Sequence, residues 1–284
     1  MEFARIGLMA ERFGPLVSAE WLREHLGEPG LRVIDLRWYL DGRRGREAFQ
    51  AGHLPGAVFM DLDRELASPP GDGRHPLPSR EQFQRGLRAA GVDAETRVVV
   101  YDDQGGFSAA RLWWLLRYFG HPAAAVLDGG IQAWAEPLEA GPGGPPAEGT
   151  FIAAEPDRSL VVDREDVKAG RAGLLIDARA GERYRGEVEP IDPKAGHIPG
   201  ARSLVWRSLL GPDWRFLPPA ELRRRFEAAG ASGGEVTMYC GSGVSSCVNV
   251  LAFELAGLGR ARLYVGSWSD WSNQDLPVAT GAAP

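Results

Sequence analysis

Gly52–His53–Leu54–Pro55–Gly56–Ala57 and Gly196–His197–Ile198–Pro199–Gly200–Ala201 are one motif written twice in a single chain. Upstream of the first copy, Leu31–Arg32–Val33–Ile34–Asp35–Leu36–Arg37 is an apolar run ending in Asp-x-Arg, and Leu174–Leu175–Ile176–Asp177–Ala178–Arg179 repeats it before the second. Downstream, Val98–Val99–Val100–Tyr101–Asp102 is matched by Val236–Thr237–Met238–Tyr239–Cys240. Further on, Leu127–Asp128–Gly129–Gly130–Ile131–Gln132–Ala133–Trp134 is matched by Tyr264–Val265–Gly266–Ser267–Trp268–Ser269–Asp270–Trp271. Equivalent positions lie roughly 140 residues apart, too far for a solenoid repeat and right for a duplicated domain. Each copy alternates short apolar strands with helical spacing, as where strand 97–101 precedes Ala110, Trp113, Trp114, Arg117 and Tyr118. That alternation predicts an α/β fold of two tandem domains, each a mainly parallel sheet with helices on both faces. Gly141–Pro142–Gly143–Gly144–Pro145–Pro146 can be neither helix nor central strand. The predicted division is therefore a first domain over 1–140, a linker over 141–149 and a second domain over 150–284.

The composition bounds the function. Of 284 residues, 44% are hydrophobic and 25% charged, which leaves no case for global disorder. A net charge of −6 argues against a nucleic-acid partner. No apolar run reaches the length of a membrane span, and the first twenty residues lack the basic and apolar regions of a signal peptide, so the expected setting is the cytoplasm, away from membranes. The two cysteines, Cys240 and Cys247, fall in one short stretch, which suits free thiols and offers neither a disulfide framework nor metal-ligand spacing. No metal or cofactor is called for.

Chemistry concentrates in Tyr239–Cys240–Gly241–Ser242–Gly243–Val244–Ser245–Ser246. Val236, Met238 and Tyr239 read as a strand, and Val244, Cys247, Val248, Leu251, Ala252 and Leu255 as one face of a helix stopping near Gly257. Cys240 thus sits at the carboxyl end of a strand, where open parallel sheets bind their ligands, with a helix amino terminus beyond it. The small residues after it allow several N–H groups to converge on the sulfur, a cradle that favours the thiolate and any further anionic atom bound to it. In the first copy the matching residue is Asp102, so one half alone can do thiol chemistry. Cys247 lies in the apolar stripe and is read as a core thiol. His53 and His197, present in both copies, are read as turn residues, the Asp35/Arg37 and Asp177/Arg179 pairs as internal ion pairs, and Trp113, Trp114, Trp268 and Trp271 as packing.

Together the paired Gly-His-Leu/Ile-Pro-Gly-Ala motifs, the single cysteine loop and the closing Gly-Ser-Trp-Ser-Asp-Trp resemble the tandem-domain rhodanese family over essentially the whole chain. Within that family, Cys240–Gly241–Ser242–Gly243–Val244–Ser245 is similar to the Cys-Gly-Ser-Gly-Val-Thr loop of 3-mercaptopyruvate sulfurtransferases, whereas thiosulfate-preferring members tend to carry basic residues after the cysteine. The resemblance implies that Cys240 takes sulfur from a small-molecule donor as a persulfide and passes it to a thiol acceptor, such as thioredoxin or a small thiol, or to cyanide. It implies that Ser242 serves the donor carbonyl together with Asp63, that Arg183 grips the donor carboxylate, that His75 lines the cleft, and that Gly241, Gly243, Val244 and Ser245 form the loop around the donor. A second carboxylate-binding arginine, usual nine residues after the first, is replaced here by Asp192, with Lys194 the nearby candidate to stand in. Two other classes share a cysteine cradle. Cysteine phosphatases need an arginine six residues after the cysteine, where this chain has Ser246, and a non-catalytic persulfide carrier has no use for Arg183, Ser242 and Asp63.

Overall fold

The computed structural model describes residues 13–71 and 73–284. The signal-peptide reading rests partly on residues 1–12, which lie outside the described residues. In the first half, strands β1 (Leu16–Val17), β2 (Leu31–Asp35), β3 (Val58–Phe59), β4 (Arg97–Tyr101) and β5 (Ala124–Leu127) form a sheet in the order β1-β5-β4-β2-β3. In the second, β6 (Val161–Val162), β7 (Leu174–Asp177), β8 (Arg202–Ser203), β9 (Val236–Tyr239) and β10 (Arg262–Tyr264) repeat it as β6-β10-β9-β7-β8. Every strand pairing within the two sheets is parallel. The central strands β4 and β9 are mostly apolar, and all but Arg97 of their residues are buried, because helices cover both faces. Equivalent caps start the first helix of each half: Ser18 Oγ accepts from Trp21 N at 3.1 Å, and Asp163 Oδ1 from Asp166 N at 2.8 Å.

The repeated motifs fold alike. Arg37 lies on Asp35 at 2.6 Å and also donates to the Gly52 carbonyl at 2.7 Å; Arg179 makes the same contacts to Asp177 and to Gly196 O, both at 2.6 Å. Each pair ties the end of a central strand to the Gly-His turn. His53 stacks on Phe49 and His197 on Tyr184, each with its Nδ1 on that residue's carbonyl oxygen, so both histidines have the structural role expected of them.

Between the sheets, the chain runs as a strap along the first half. Gly149 N and Phe151 N donate to Arg88 O and Val92 O, Ala154 N and Asp157 N to Phe119 O and Tyr118 O, and Phe151 is buried. Across the molecule the helix Ala109–Tyr118 packs against the helix Ser246–Leu255. These helices follow the equivalent loops of the two halves, so the junction is built from the loop-bearing faces. The spacing predicts one apolar face for Ser246–Leu255. Instead every residue through Phe253 is buried, because the helix lies between its own sheet and the other half. One apolar core consequently runs through both halves, including Trp113 and Trp114, while Trp268 and Trp271 pack in a smaller cluster of the second.

Candidate active site

The loop after β9 wraps Cys240, which is only 2% exposed. Its backbone is fixed from outside: Cys240 N donates to Ser267 Oγ at 3.2 Å, while Trp268 N and Ser269 N donate to the carbonyls of Cys240 and Gly241 at 2.9 and 2.8 Å. Gly243 has φ +75°, and a Cβ there would lie 2.6 Å from Val265 O, so the curl of the loop requires glycine.

The first half supplies an internal control for what such a loop binds. Asp102 turns its carboxylate into its own loop and accepts from Gln104 N, Gly106 N, Ser108 N and Ala109 N at 2.8 to 2.9 Å. Burial pushes this carboxyl up, and the amides pull against it. The loop is thus an anion cradle in both halves. Around Cys240 burial likewise works against the anion, but the Ser245 and Ser246 hydroxyls and the Ser242 and Ser246 amides outweigh it and leave the thiol below its ordinary value. Two of the positions that hold Asp102, two and six residues on, thus act on Cys240 as well. Cys247 is different: burial, only partly offset by nearby Arg111, pushes it up to about 12. Both thiols are free and buried, and their environments separate them.

Sequence reasoning missed Arg111. Fully buried on the helix Ala109–Tyr118, it donates to Gly243 O at 2.9 Å and to His75 O at 3.1 Å, and its charge acts on both cysteines. An arginine inside the apolar run Ala109–Leu116 was the available signal, since a charge is buried there only with partners.

His75 reaches Ser242 from the first half, Nδ1 to Oγ at 2.8 Å, and its Nε2 lies 3.2 Å from Asp63 Oδ1. Trp38 Nε1 donates to the other Asp63 oxygen at 2.9 Å and sets its ring edge-on to His75. The hydrogen bond from His75, then that from Trp38, holds the Asp63 carboxyl below its usual range against partial burial. Ser242 and Asp63, expected to work together, meet through His75, which contacts both. Histidine is the group that can span a buried hydroxyl and a carboxylate exposed at the cleft.

Arg183 lies beside the loop, its Nη1 3.6 Å from where a Gly241 Cβ would stand. Glu189 holds it through Nε at 3.1 Å and Nη2 at 2.6 Å, and Arg179 Nη1 holds Glu189 in turn at 3.3 Å. Asp192, which stands where an arginine was expected, takes Arg183 Nη2 at 3.0 Å and pairs with Arg74 of the first half. Lys194 turns its ammonium to the Gln274 carbonyl. Arg74 and Glu189 also escaped the sequence reading; they are loop residues whose importance depends on folding. A cavity of about 740 Å³ lies elsewhere, lined by Trp113, Trp114, Arg117, Leu160 and Glu254, and includes no residue of the Cys240 loop.

A low-pKa cysteine at the carboxyl edge of a parallel sheet, in a duplicated fold whose other half carries aspartate in the same cradle, is the pattern of a divided sulfur-handling protein. The Rhodanese-like domain family matches residues 18–137 and 162–274, and the chain belongs to that family with two copies of the domain. It is a sulfurtransferase, and relatives matched over most of its length carry that name. A probable 3-mercaptopyruvate sulfurtransferase of Pseudomonas aeruginosa is 45% identical, covering 94% of this chain and 98% of its own. A putative thiosulfate sulfurtransferase, SseB, of Mycobacterium tuberculosis is 40% identical over 90% of this chain and 93% of its own. Among solved structures, the 3-mercaptopyruvate sulfurtransferase SseA of Escherichia coli superposes with a TM-score of 0.80 at 34% identity, covering 89% of this chain and 98% of that one. Among the described residues no helix is long and apolar enough to cross a membrane.

Proposed function

We propose that the chain transfers sulfur from 3-mercaptopyruvate through a persulfide on Cys240 to a thiol such as thioredoxin or a small thiol, or to cyanide, in the cytoplasm. The observation that carries this reading is the His75–Ser242 contact at 2.8 Å, which backs a hydroxyl two residues after Cys240 with His75 and Asp63. A ketone oxygen next to the scissile carbon needs such a donor, and thiosulfate has no ketone. In the first step the Cys240 thiolate attacks the donor sulfur. The S–C electron pair leaves as the enolate of pyruvate, whose oxygen Ser242 stabilises. The thiol proton of the donor ends on the enolate carbon, leaving pyruvate and a Cys240 persulfide anion. The amides of Ser242 and Ser246 face that anion as those of Gln104 and Ser108 face the Asp102 carboxylate. In the second step an acceptor thiolate takes the outer sulfur and Cys240 leaves as a thiolate, so the kinetics are ping-pong.

Residues 1–140 then act as wall and relay, 141–149 as linker and 150–284 as the catalytic domain. Arg183 binds the donor carboxylate, and Gly241, Gly243, Val244 and Ser245 shape the loop. The alternative donor is thiosulfate, named for the Mycobacterium relative and favoured by one observation: Arg74 brings a cation near Gly241 that the loop sequence lacks. Steady-state comparison of the two donors decides. Better kcat/KM with 3-mercaptopyruvate, lost selectively in Ser242→Ala, supports the proposal; better kcat/KM with thiosulfate overturns it.

A further inference from the structure

We infer that Arg74 is the second arm of the donor-carboxylate clamp, and that Asp192 occupies this clamp in the free enzyme and is displaced when the donor binds. The inference rests on the donor reading above. The Asp192 carboxylate bridges two guanidiniums from opposite halves, with Oδ1 on Arg74 Nη1 and Oδ2 on Arg183 Nη2. Each arginine turns its other terminal nitrogen to the residue directly after Cys240. A Cβ on Gly241 would lie 2.7 Å from Arg74 Nη2 and 3.6 Å from Arg183 Nη1. Arg74 Nε is buried and has no hydrogen-bond partner among the described residues. Two planar forks converging on one carboxylate beside the nucleophile is the arrangement that an anionic 2-oxo acid would use. A side-chain carboxylate now fills it.

Both arms can stay in place when Asp192 leaves. Glu189 keeps Arg183 through two contacts and is itself held by Arg179 Nη1 and by the Ile191 and Asp192 amides. Arg74 N is fixed to Ser269 Oγ at 3.0 Å, and Gly73 lies so close to Gly266 that a Cβ would meet its carbonyl oxygen at 2.8 Å. Asp192, by contrast, belongs to the irregular segment 188–195, outside any helix or strand. Charge counting points the same way. Among the described residues Arg74, Arg179 and Arg183 already face Asp177, Glu189 and Asp192, so an arriving carboxylate adds a negative charge to a balanced set unless Asp192 yields. Burial first, and then Glu189, raise the Asp192 carboxyl above its usual value despite both arginines, so its charge is less comfortable here than in water.

The test compares 3-mercaptopyruvate with mercaptopropanone, which keeps thiol and ketone but has a methyl group in place of the carboxylate. Arg74→Gln should raise KM for 3-mercaptopyruvate roughly ten- to a hundredfold, the range for loss of a charged hydrogen bond, and leave mercaptopropanone unchanged. Asp192→Asn should lower KM for 3-mercaptopyruvate several-fold, tighten competitive inhibition by pyruvate to match, and again leave mercaptopropanone unchanged. Turnover of the neutral donor shows that each variant is folded. If Asp192→Asn raises KM, Asp192 orients the arginines and does not compete with the donor; if Arg74→Gln impairs both donors alike, Arg74 acts through His75. Either result overturns the inference while leaving the donor assignment intact. Wild-type enzyme that turns over mercaptopropanone or thiosulfate but not 3-mercaptopyruvate overturns the donor assignment itself.

Discussion

The guanidinium of Arg111, carried by the first half, donates to the carbonyl of Gly243 in the cysteine loop of the second half at 2.9 Å. The same group donates to His75 O, so one buried cation sets the loop and the histidine at a common distance. The half without a cysteine thereby becomes part of the site.

Arg111→Met is expected to reduce turnover far more than it reduces Tm. Two carbonyls lose their donor, which costs on the order of 1–3 kcal/mol each, but the desolvation of a buried cation is relieved. The alkylation profile of Cys240 should move to higher pH, because the lost charge favours the thiolate. An unchanged profile together with unchanged kcat would refute the positioning role.

Cys240→Ser should abolish sulfur transfer and the mass gain of one sulfur, whereas Cys247→Ser should keep most activity. Native Cys240 should alkylate with a midpoint below that of a free thiol, and Cys247 should stay unreactive. The signs follow from linkage. Cys240, depressed on folding, adds stability as pH rises through the window below the ordinary thiol value and loses it as pH falls. Cys247, raised to about 12, stays protonated in the native state where the unfolded thiol ionises, so stability falls as pH rises through about 9 to 12. Persulfide found on Cys247 of the active enzyme contradicts the assignment.

Ser242→Ala and His75→Ala should lower kcat for 3-mercaptopyruvate by a similar factor, with the double variant little worse than either, since the two act as one relay. Asp63→Asn should follow them more mildly. Because the Asp63 carboxyl is held below its usual range, no acidic limb of the pH profile between about 5 and 8 should belong to it. Additive losses in the double variant argue against a relay.

Arg37→Leu and Arg179→Leu remove equivalent buried partners and should each destabilise by about 3–5 kcal/mol, because Asp35 or Asp177 is left buried and unpaired. Only Arg179→Leu should also raise KM, since Arg179 alone continues through Glu189 to Arg183. Equal KM effects from the two variants would break that chain of reasoning.

Gly243→Ala is expected to destabilise the protein and to raise the midpoint of Cys240 alkylation. The methyl group would meet the Val265 backbone, and φ +75° is strained for alanine, so the cradle must open. Normal alkylation in this variant would show that the curl does not set the thiol's acidity.

The duplicated α/β fold, the cysteine loop and the substitution of Asp102 for a second cysteine were legible because each is a local pattern. Strand runs, glycine turns and a strand-to-helix junction are written in consecutive residues and repeat at a fixed offset, so Asp35/Arg37, His53, His197 and Cys240 could be placed from the chain alone. What the sequence by itself could not determine is which residues meet across the junction of the halves. His75 between Asp63 and Ser242, Arg111 beneath the loop, and Arg74 with Asp192 above it are brought together by the packing of Ala109–Tyr118 against Ser246–Leu255. Arg74 and Asp192 are separated by 118 positions, and Arg111 and Gly243 by 132. No local propensity encodes such a pairing; the shared burial of two helices decides it, and with it the charges that face the nucleophile.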